Sequence, residues 1–482
     1  MRTYYASEYA ILDSDVLSGG GTDDTASLQA LLDKAKTEGG IRLVMDGAAL
    51  VHGLKLHSNT TIECLGANCG FYLQDHASRP ILTNAEWNLK DNRLTRNIRL
   101  LGGTYNHNCA HQEHDLPTSE YPMPKTRNDD NLDPSFRDHH YIYLMEFYGV
   151  ENFLMRDVIL RNQRTYAFTL GNFKNAVIEN CVIDMAQLLT PGNQDGLHFF
   201  GPGQFLAIRN FRGLTGDDII NIAPDEIDGV SDITDVLVDG VFFDHAYQGI
   251  RMLSHGTGRL DRVSIRNVTG TYRVFGVSIM PFIDSTTFGN YGDISLENID
   301  LRQDNGGTMP TTLLQVGGSI ECFSMKNIRF HCTEPAHSCF DLGTTFYAGF
   351  YNFKDNRRPT IRTLIVDGLV IMDDAPQSPP VDWIYLLFNF DHLILRNIEL
   401  HRAEGTVPAG NLIRLIAEAK VRRLVLDGVY AEKIASVIQA SAGYEIDFLQ
   451  ARNVTLNHGG QVLDLQDADI GRIFEEDVKY IR

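Results

Sequence analysis

The sequence repeats a short motif that reads Val-Ser-Ile-Arg-Asn at residues 263–267, Ile-Ser-Leu-Glu-Asn at 294–298 and Phe-Ser-Met-Lys-Asn at 323–327. In each copy apolar and polar residues alternate, which predicts a β-strand with one buried face. Each copy ends at an asparagine, a residue that tolerates a positive φ, so the chain is expected to turn there. Strands that recur about every 30 residues are typical of a solenoid.

Predicted strands that end at a turn residue recur along the chain in both directions. From about residue 60 onward, alternating strands end at Asn, Gly or Asp, and most intervals fall between about 23 and 31 residues. A β-sandwich would instead need turn signals roughly every 8–12 residues. We therefore predict an all-β fold, a single-stranded right-handed parallel β-helix of about a dozen coils that forms one domain over residues 1–482. The residues predicted to stack at one corner with left-handed dihedrals are Asn180, Asn210, Gly240, Asn267, Asn298, Asn327, Gly368, Asn397 and Gly428.

Residues 1–58 are predicted to form an N-terminal cap region. Within it, apolar residues from Ala26 to Ala35 recur at helical spacing, after a Thr-Asp-Asp-Thr cluster that supplies N-cap candidates. The predicted helix spans residues 22–37 and ends before two glycines. A short helix ahead of the first coil would cover the open edge of the solenoid.

The overall charge limits the partners. The 482 residues carry a formal net charge of −20, and 43% of them are hydrophobic, as in an ordinary soluble protein with ample core. The mean hydropathy is −0.17 and the sequence pI is about 5.2. Because nucleic acids and anionic membranes would be repelled, we expect neither as a partner.

The cysteines and the opening residues bear on the compartment. The seven cysteines lack metal-type spacing, which favours free, mostly buried thiols, although Cys64 and Cys69 could pair across a turn. The first residues contain no apolar signal segment, and no run of about 18 apolar residues occurs. We expect a cytoplasmic protein, or a secreted one if a leader has been removed.

A long insertion at residues 104–146 interrupts the repeats. It is rich in His, Asp, Pro and Tyr and is expected to lie near the cleft, since long loops often carry binding residues. Its acidic run at 128–133 could hold Ca²⁺ but lacks the glycine and closing glutamate of an EF-hand. We predict no metal and no cofactor.

Two acidic motifs lie about one coil apart: Asn-Gln-Asp-Gly at residues 193–196 and Gly-Asp-Asp at 216–218. In a solenoid, Asp195, Asp217 and Asp218 would become neighbours on one face. Three crowded carboxylates cannot all ionise easily, so at least one should hold a proton. A protonated acid beside ionised carboxylates is what cleavage of a glycosidic bond requires. The alternative is that these aspartates only bond to their own turns.

These motifs resemble the Asn-x-Asp-Gly and Gly-Asp-Asp motifs of glycoside hydrolase family 28, the polygalacturonases and their relatives. The opening of the chain is similar to the wider pectate-lyase-like superfamily. The resemblance implies an inverting hydrolase in which Asp217 is the general acid, while Asp195 and Asp218 position and deprotonate a water. For inversion, acid and base are expected roughly 6.5–9.5 Å apart.

The sequence also departs from the family. The family's Gly-His-Gly aligns with Tyr-Gln-Gly at residues 247–249, and its Arg-Ile-Lys aligns with Ser-Ile-Met at 278–280. Without that arginine and lysine, the cations that would bind a galacturonate carboxylate are missing. Polygalacturonate is therefore not the expected substrate.

Alternation also predicts which side chains face outward. His198, Asn221, Arg251 and Ser278 should form an outward row, while the apolar residues beside them point into the core. The inward residues are Leu197, Phe199, Ile220, Ile222, Ile250 and Met252. The candidates for substrate binding are His198, Asn221, Gln248, Arg251 and His255.

The sequence thus predicts a glycoside hydrolase that cleaves an α-linked poly- or oligosaccharide other than polygalacturonate. Two alternatives stay open, a polysaccharide lyase or epimerase and a non-catalytic glycan-binding β-helix. The expected partner is a carbohydrate. The sequence leaves the oligomeric state open, a homo-oligomer included.

Overall fold

The computed structural model describes residues 1–87, 92–112, 142–185, 193–227, 230–282, 285–304, 311–334, 336–343, 358–375, 380–404, 410–416, 419–466 and 468–481. Most of the predicted insertion at 104–146 lies outside the described residues, so its place beside a cleft stays a prediction.

The chain divides into two compact units, Met1–Phe242 and Phe243–Arg482. The single domain predicted over 1–482 also stays a prediction.

Parallel pairing defines the fold of each unit. A strand of one coil lies beside the corresponding strand of the next, as β14 does beside β12 in the first unit and β26 beside β24 in the second. The chain is therefore all-β and folds as a right-handed parallel β-helix, as predicted. The strands that begin before the boundary are β1 (Arg2–Tyr5), β2 (Ile41–Met45), β3 (Ala48–Val51), β4 (Leu54–Leu56), β5 (Thr60–Cys64), β6 (Gly70–Leu73), β7 (Leu82–Asn84), β8 (Thr95–Leu101), β9 (Thr104–Asn106), β10 (Met145–Arg156), β11 (Ile159–Arg161), β12 (Phe168–Glu179), β13 (Val182–Asp184), β14 (Leu197–Gly213), β15 (Asp218–Ala223) and β16 (Ile233–Ala246). Those after it are β17 (Gln248–Ser254), β18 (Leu260–Tyr272), β19 (Phe275–Pro281), β20 (Tyr291–Gln303), β21 (Thr311–Val316), β22 (Ile320–Cys332), β23 (Ala336–Leu342), β24 (Thr360–Asp373), β25 (Ile384–Leu386), β26 (Asn389–Arg402), β27 (Asn411–Leu415), β28 (Lys420–Glu432), β29 (Ser436–Ala440), β30 (Glu445–Asn457), β31 (Gln461–Asp464) and β32 (Asp469–Ile481).

The helix of the N-terminal region, α1, spans Thr25–Glu38 and buries Leu28, Leu31, Leu32 and Ala35 on one face. It begins three residues later than predicted because Asp23 is still extended, in a bridge with Leu50. The N-cap residue is Asp24, but its carboxylate accepts the backbone N–H groups of Ile11 at 2.8 Å and Leu12 at 2.9 Å rather than capping the helix. Gly39 ends α1 at a φ of 72°. Two 3₁₀ turns complete the helical elements of the described residues, Ala6–Glu8 and Cys109–His111.

The predicted corner residues all have left-handed dihedrals. The nine φ values lie between 49° and 83°. In the first unit the Asn210 amide donates to the Asn180 side-chain oxygen at 3.1 Å. In the second unit Asn298 donates to Asn267 and Asn327 donates to Asn298, both at 3.0 Å. Asparagine satisfies two demands at the corner, since it tolerates the positive φ and its amide links successive coils.

Replacing Asn267 by Val should lower the free energy of unfolding by about 1–3 kcal/mol, because a β-branched residue is strained at a φ of 58°. The change also removes the acceptor for Asn298. Denaturant melts would measure the loss, with Thr269→Val as the control, since Thr269 is exposed on the same strand, β18, without a positive φ. Equal stability of the two variants would show that the corner is not strained.

The predicted inward residues are buried, but the predicted outward row is not exposed: His198, Asn221 and Ser278 are buried too, and only Arg251 is partly exposed. Leu197, Phe199, Ile220 and Ile222 are fully buried in the first unit, and Ile250 and Met252 in the second. His198 lies opposite Asn221 in the first unit, and Arg251 lies opposite Ser278 in the second. The pairs are in register as the sequence predicts.

The seven cysteines are free, as predicted, and all but Cys322 are buried. Within the ranges that the structure describes, no helix has both the length and the apolar content needed to cross a membrane.

Candidate active site

Two neighbouring strands bring the acidic motifs together. β14 and β15 pair in parallel, and just before them the Gly196 N–H donates to the Asp218 carbonyl at 2.8 Å. Asp195 and Asp218 therefore stand at matching levels on neighbouring coils, where strands lie roughly 4.8 Å apart. One residue earlier, the Gly216 N–H donates to the Gln194 carbonyl at 3.2 Å. The two motifs are thus joined through their backbones.

The three predicted acids converge. One carboxylate oxygen from each of Asp195, Asp217 and Asp218 lies within 4.8 Å of the other two. Asp195 and Asp218 are only 2% and 1% exposed, whereas Asp217 is half-buried. Asp217 is therefore the member of the trio that solvent, or a bound glycan, reaches most easily.

The nearest oxygens of the trio lie close together, while the predicted separation of the acid and base carboxyl groups stays a prediction. The oxygen spacing of at most 4.8 Å is shorter than the roughly 6.5–9.5 Å expected for inversion, and nearer the ~5–5.5 Å of retaining pairs. The physical reason is the rung spacing of a β-helix. Acids at one level of adjacent coils start only about 4.8 Å apart at their backbones.

Hydrogen bonds distinguish the two buried acids. The Asp195 Oδ2 atom lies 2.8 Å from Nδ1 of His198, and Asp195 Oδ1 has no hydrogen-bond partner among the described residues. The Asn221 Nδ2 group donates to Oδ2 of Asp218 at 3.1 Å. Asp217 is anchored through its backbone, because the Thr215 hydroxyl donates to its carbonyl at 2.8 Å.

His198 bridges two carboxylates. Its Nε2 atom lies 2.8 Å from Oε2 of Glu226, on the side of the ring opposite Asp195. Tyr166 stacks on the ring with centroids 4.3 Å apart, and the Phe200 ring lies at 4.5 Å. His198 is only 1% exposed. Its predicted role in binding substrate stays a prediction, and its contacts place it better to orient Asp195.

The two carboxylates also decide the charge of His198. Burial opposes the imidazolium form, but the negative charges and hydrogen bonds of Glu226 and Asp195 outweigh burial and raise the pKa of His198. A ring that donates from both nitrogens must carry both protons. The geometry therefore suits a doubly protonated ring, with one carboxylate facing each nitrogen.

This raised pKa predicts a pH-dependent contribution to stability. The contribution is fully present below the ordinary histidine pKa of 6.5 and is lost as the pH rises through the higher pKa of the folded state. The difference in free energy of unfolding between wild type and His198→Gln should therefore shrink between about pH 6 and about pH 9. Denaturant melts at the two pH values would measure it, and a difference that grows with pH would contradict the charged bridge.

An aromatic cluster surrounds the bridge. Tyr143 stacks on Tyr166 with centroids 4.9 Å apart, and Trp87 packs edge-on against Tyr148 at 5.0 Å. The three tyrosines form one buried cluster with Phe200 and Ile227, and the partly buried Trp87 packs against it. It holds the His198 ring in a fixed plane. The sequence reasoning missed this cluster and Glu226, because their partners come from different coils and no local pattern marks them.

The remaining candidates belong to the second unit. Arg251 donates to the side-chain oxygen of Gln248, and its guanidinium lies 5.1 Å from the centre of the Phe275 ring. The ring of His255 stacks on Phe282 with centroids 4.0 Å apart. Their predicted roles in binding substrate stay predictions.

The acidic trio also has the oxygen-only chemistry of sites for hard cations such as Ca²⁺ and Mg²⁺. Among the described residues no histidine or cysteine joins this group, and exposed acidic groups are common without an ion. We assign no metal to it. That the protein uses neither a metal nor a cofactor stays a prediction.

Comparison with known proteins agrees on the fold. No family model matches the chain, and no curated protein matches it. Among solved structures, the family 28 exopolygalacturonase of Yersinia enterocolitica is 14% identical, with 99% of this chain and 78% of that chain covered and a TM-score of 0.48. The mannuronan C-5 epimerase AlgE4 A-module of Azotobacter vinelandii is 12% identical, with 98% and 99% covered and a TM-score of 0.45. The N-terminal fragment of bacteriophage phi29 gene product 12 is 11% identical, with 98% and 86% covered and a TM-score of 0.50.

The parallel β-helix fold is seen in the strand pairing of the chain itself. At identities of 11–14% these likenesses concern the fold alone. The chemistry has to be inferred from the site itself.

Proposed function

We propose that the protein is a glycoside hydrolase that cleaves an α-linked poly- or oligosaccharide by acid and base catalysis. The observation that carries the proposal is the convergence of three carboxylates with different surroundings within 4.8 Å. Such differences let neighbouring acids take opposite protonation states, which hydrolysis of a glycosidic bond requires.

The surroundings support a role for each acid. Asp195 lies against the imidazole of His198, and Asp218 accepts a hydrogen bond from Asn221. These two are suited to orient and deprotonate a water. Asp217 is the most accessible of the three and is suited to hold the proton for the leaving oxygen.

The substrate class follows from charge. Ser278, Ile279 and Met280 stand where the resemblance would place the cations that bind a galacturonate carboxylate. The chain as a whole carries a net charge of −20, which opposes a densely anionic polymer. We therefore propose a neutral or lightly charged glycan rather than polygalacturonate.

A glycan panel tests the proposal. Wild-type protein and Asp217→Asn would be incubated in parallel with neutral and anionic glycans, while new reducing ends and the ultraviolet absorbance of unsaturated uronates are measured. New reducing ends with wild type alone are the expected result. Unsaturated products would indicate a lyase, and binding without any product would indicate a glycan-binding protein.

The stereochemistry of the product can be measured in the same reactions. We propose inversion, because two of the carboxylates are placed to activate a water rather than one to form a covalent intermediate. The short oxygen spacing is the observation that favours the competing, retaining route. Proton NMR of the first-formed anomer decides between them, and a retained anomer would overturn the inverting mechanism.

A further inference from the structure

We propose that Glu226 is a positioning residue that acts through His198 to fix the carboxylate of Asp195. The inference rests on the proposed function, since it assigns Asp195 its place as a base. It adds a residue that neither the repeats nor the acidic motifs single out.

The geometry forms one continuous chain of contacts. Glu226 Oε2 lies 2.8 Å from Nε2 of His198, and Nδ1 of the same ring lies 2.8 Å from Asp195 Oδ2. The side chains of Asp195 and His198 are each 2% exposed, and that of Glu226 is 10% exposed. Water therefore competes little for these hydrogen bonds.

Neighbouring aromatic rings keep the His198 ring from rotating out of this chain of contacts. Tyr166 stacks on it at an interplanar angle of 15°, and the ring of Phe200 lies 4.5 Å away. With the ring fixed at both nitrogens, Oδ2 of Asp195 is fixed as well. The other oxygen, Oδ1, is buried and has no hydrogen-bond partner among the described residues.

Glu226 is needed because a neutral imidazole has only one N–H. If the ring faced Asp195 alone, a single ring N–H group could donate to that carboxylate. The second ring nitrogen would then be a buried hydrogen-bond acceptor. With carboxylates on both sides, the ring donates twice and remains an imidazolium. Among the described residues, the charged groups that face the ring are Asp195 and Glu226, and one oxygen each of Asp217 and Asp218 lies within 4.8 Å of an Asp195 oxygen.

The first unit contains a second bridge of the same kind. His57 lies between Asp33, at 2.9 Å, and Glu86, at 3.0 Å, and its side chain is 5% exposed. Neither of these carboxylates belongs to the acidic trio. The side chains of Asp33 and Glu86 are more exposed, at 49% and 37%, but Glu86→Gln makes the same chemical change at a doubly bridged histidine and serves as the control for Glu226→Gln.

The kinetic test uses the full chain and a glycan that wild type hydrolyses. Glu226→Gln should lower kcat by about tenfold to a hundredfold, because a small misplacement of a reacting group is costly, and should leave KM unchanged. Glu226→Asp keeps the carboxylate on a shorter side chain, and it should recover part of the lost kcat. Glu86→Gln should match wild type. A kcat for Glu226→Gln equal to that for Glu86→Gln would overturn the inference.

A spectroscopic test does not depend on turnover. In protein labelled with ¹⁵N-histidine, His198 should show two hydrogen-bonded ring N–H resonances, assigned by their absence from His198→Gln. Glu226→Gln should shift or remove the Nε2–H resonance, whereas Glu86→Gln should leave both in place. Failure to see two such resonances in wild type would overturn the bridge. If wild type hydrolyses no glycan, the proposed function fails, and this measurement still decides whether Glu226 holds His198.

Discussion

Replacing Asp217 by Asn should reduce turnover at least about a hundredfold while glycan binding persists. The amide has nearly the shape of the carboxyl group but cannot deliver a proton to the leaving oxygen. Initial rates on the glycan identified in the panel, together with calorimetric binding of the same glycan, would separate the two effects. The alkaline limb of the pH–rate profile, which reports loss of the proton from the acid, should disappear in the variant.

Asp46→Asn is the matched control for this prediction. Asp46 is half-buried like Asp217 and lies in the same unit, but its carboxylate accepts hydrogen bonds from Ser7. The control should keep wild-type turnover. An Asp217→Asn protein that is as active as Asp46→Asn would remove Asp217 from the mechanism and with it the assignment of the acid.

The corners show what a sequence can predict about this fold. Each corner requires a residue with left-handed dihedrals. Few residue types tolerate them, so the residue type at a single position is enough to predict a corner. The positions from Asn180 to Gly428 could therefore be predicted one by one, and all nine have a positive φ. The helix was predicted less well, because the bridge between Asp23 and Leu50 keeps the cap cluster extended, and a pairing between distant residues leaves no local signal.

The candidate site likewise has a part that the sequence predicts and a part that it does not. The convergence of Asp195 with Asp217 and Asp218 could be predicted, because it follows from the coil length alone. The closeness of their nearest oxygens was not predicted, because the expectation of acid and base separation came from the reaction and not from the rung spacing of the sheet. Glu226 could not be predicted. It lies beyond the end of β15, and its approach to His198 depends on the path of a turn rather than on a periodic pattern.

The close fit between the acidic motifs leads to the second large expected effect. A Cβ atom added to Gly196 would lie 2.4 Å from the Ile219 carbonyl oxygen, which is a backbone atom and cannot rotate away. Gly196→Ala must therefore push β14 and β15 apart at the point where Asp195 faces Asp218. Overpacking of this kind costs about 1–3 kcal/mol.

The effect of Gly196→Ala on activity should exceed its effect on stability. Gly196 is bonded to Asp195, so a backbone shift moves that carboxylate directly, and a shift of about 1 Å can cost about a hundredfold in rate. Gly66→Ala is the control, since the atom nearest its added Cβ is the side-chain oxygen of Asn68, at 3.0 Å, which can move. Denaturant melts and initial rates, compared at a temperature where both variants are folded, would measure the two effects. If Gly196→Ala kept wild-type activity, the backbone contact between the two motifs would not be what holds the carboxylates in place, and their convergence would have to depend on the side-chain bonds to His198 and Asn221 alone.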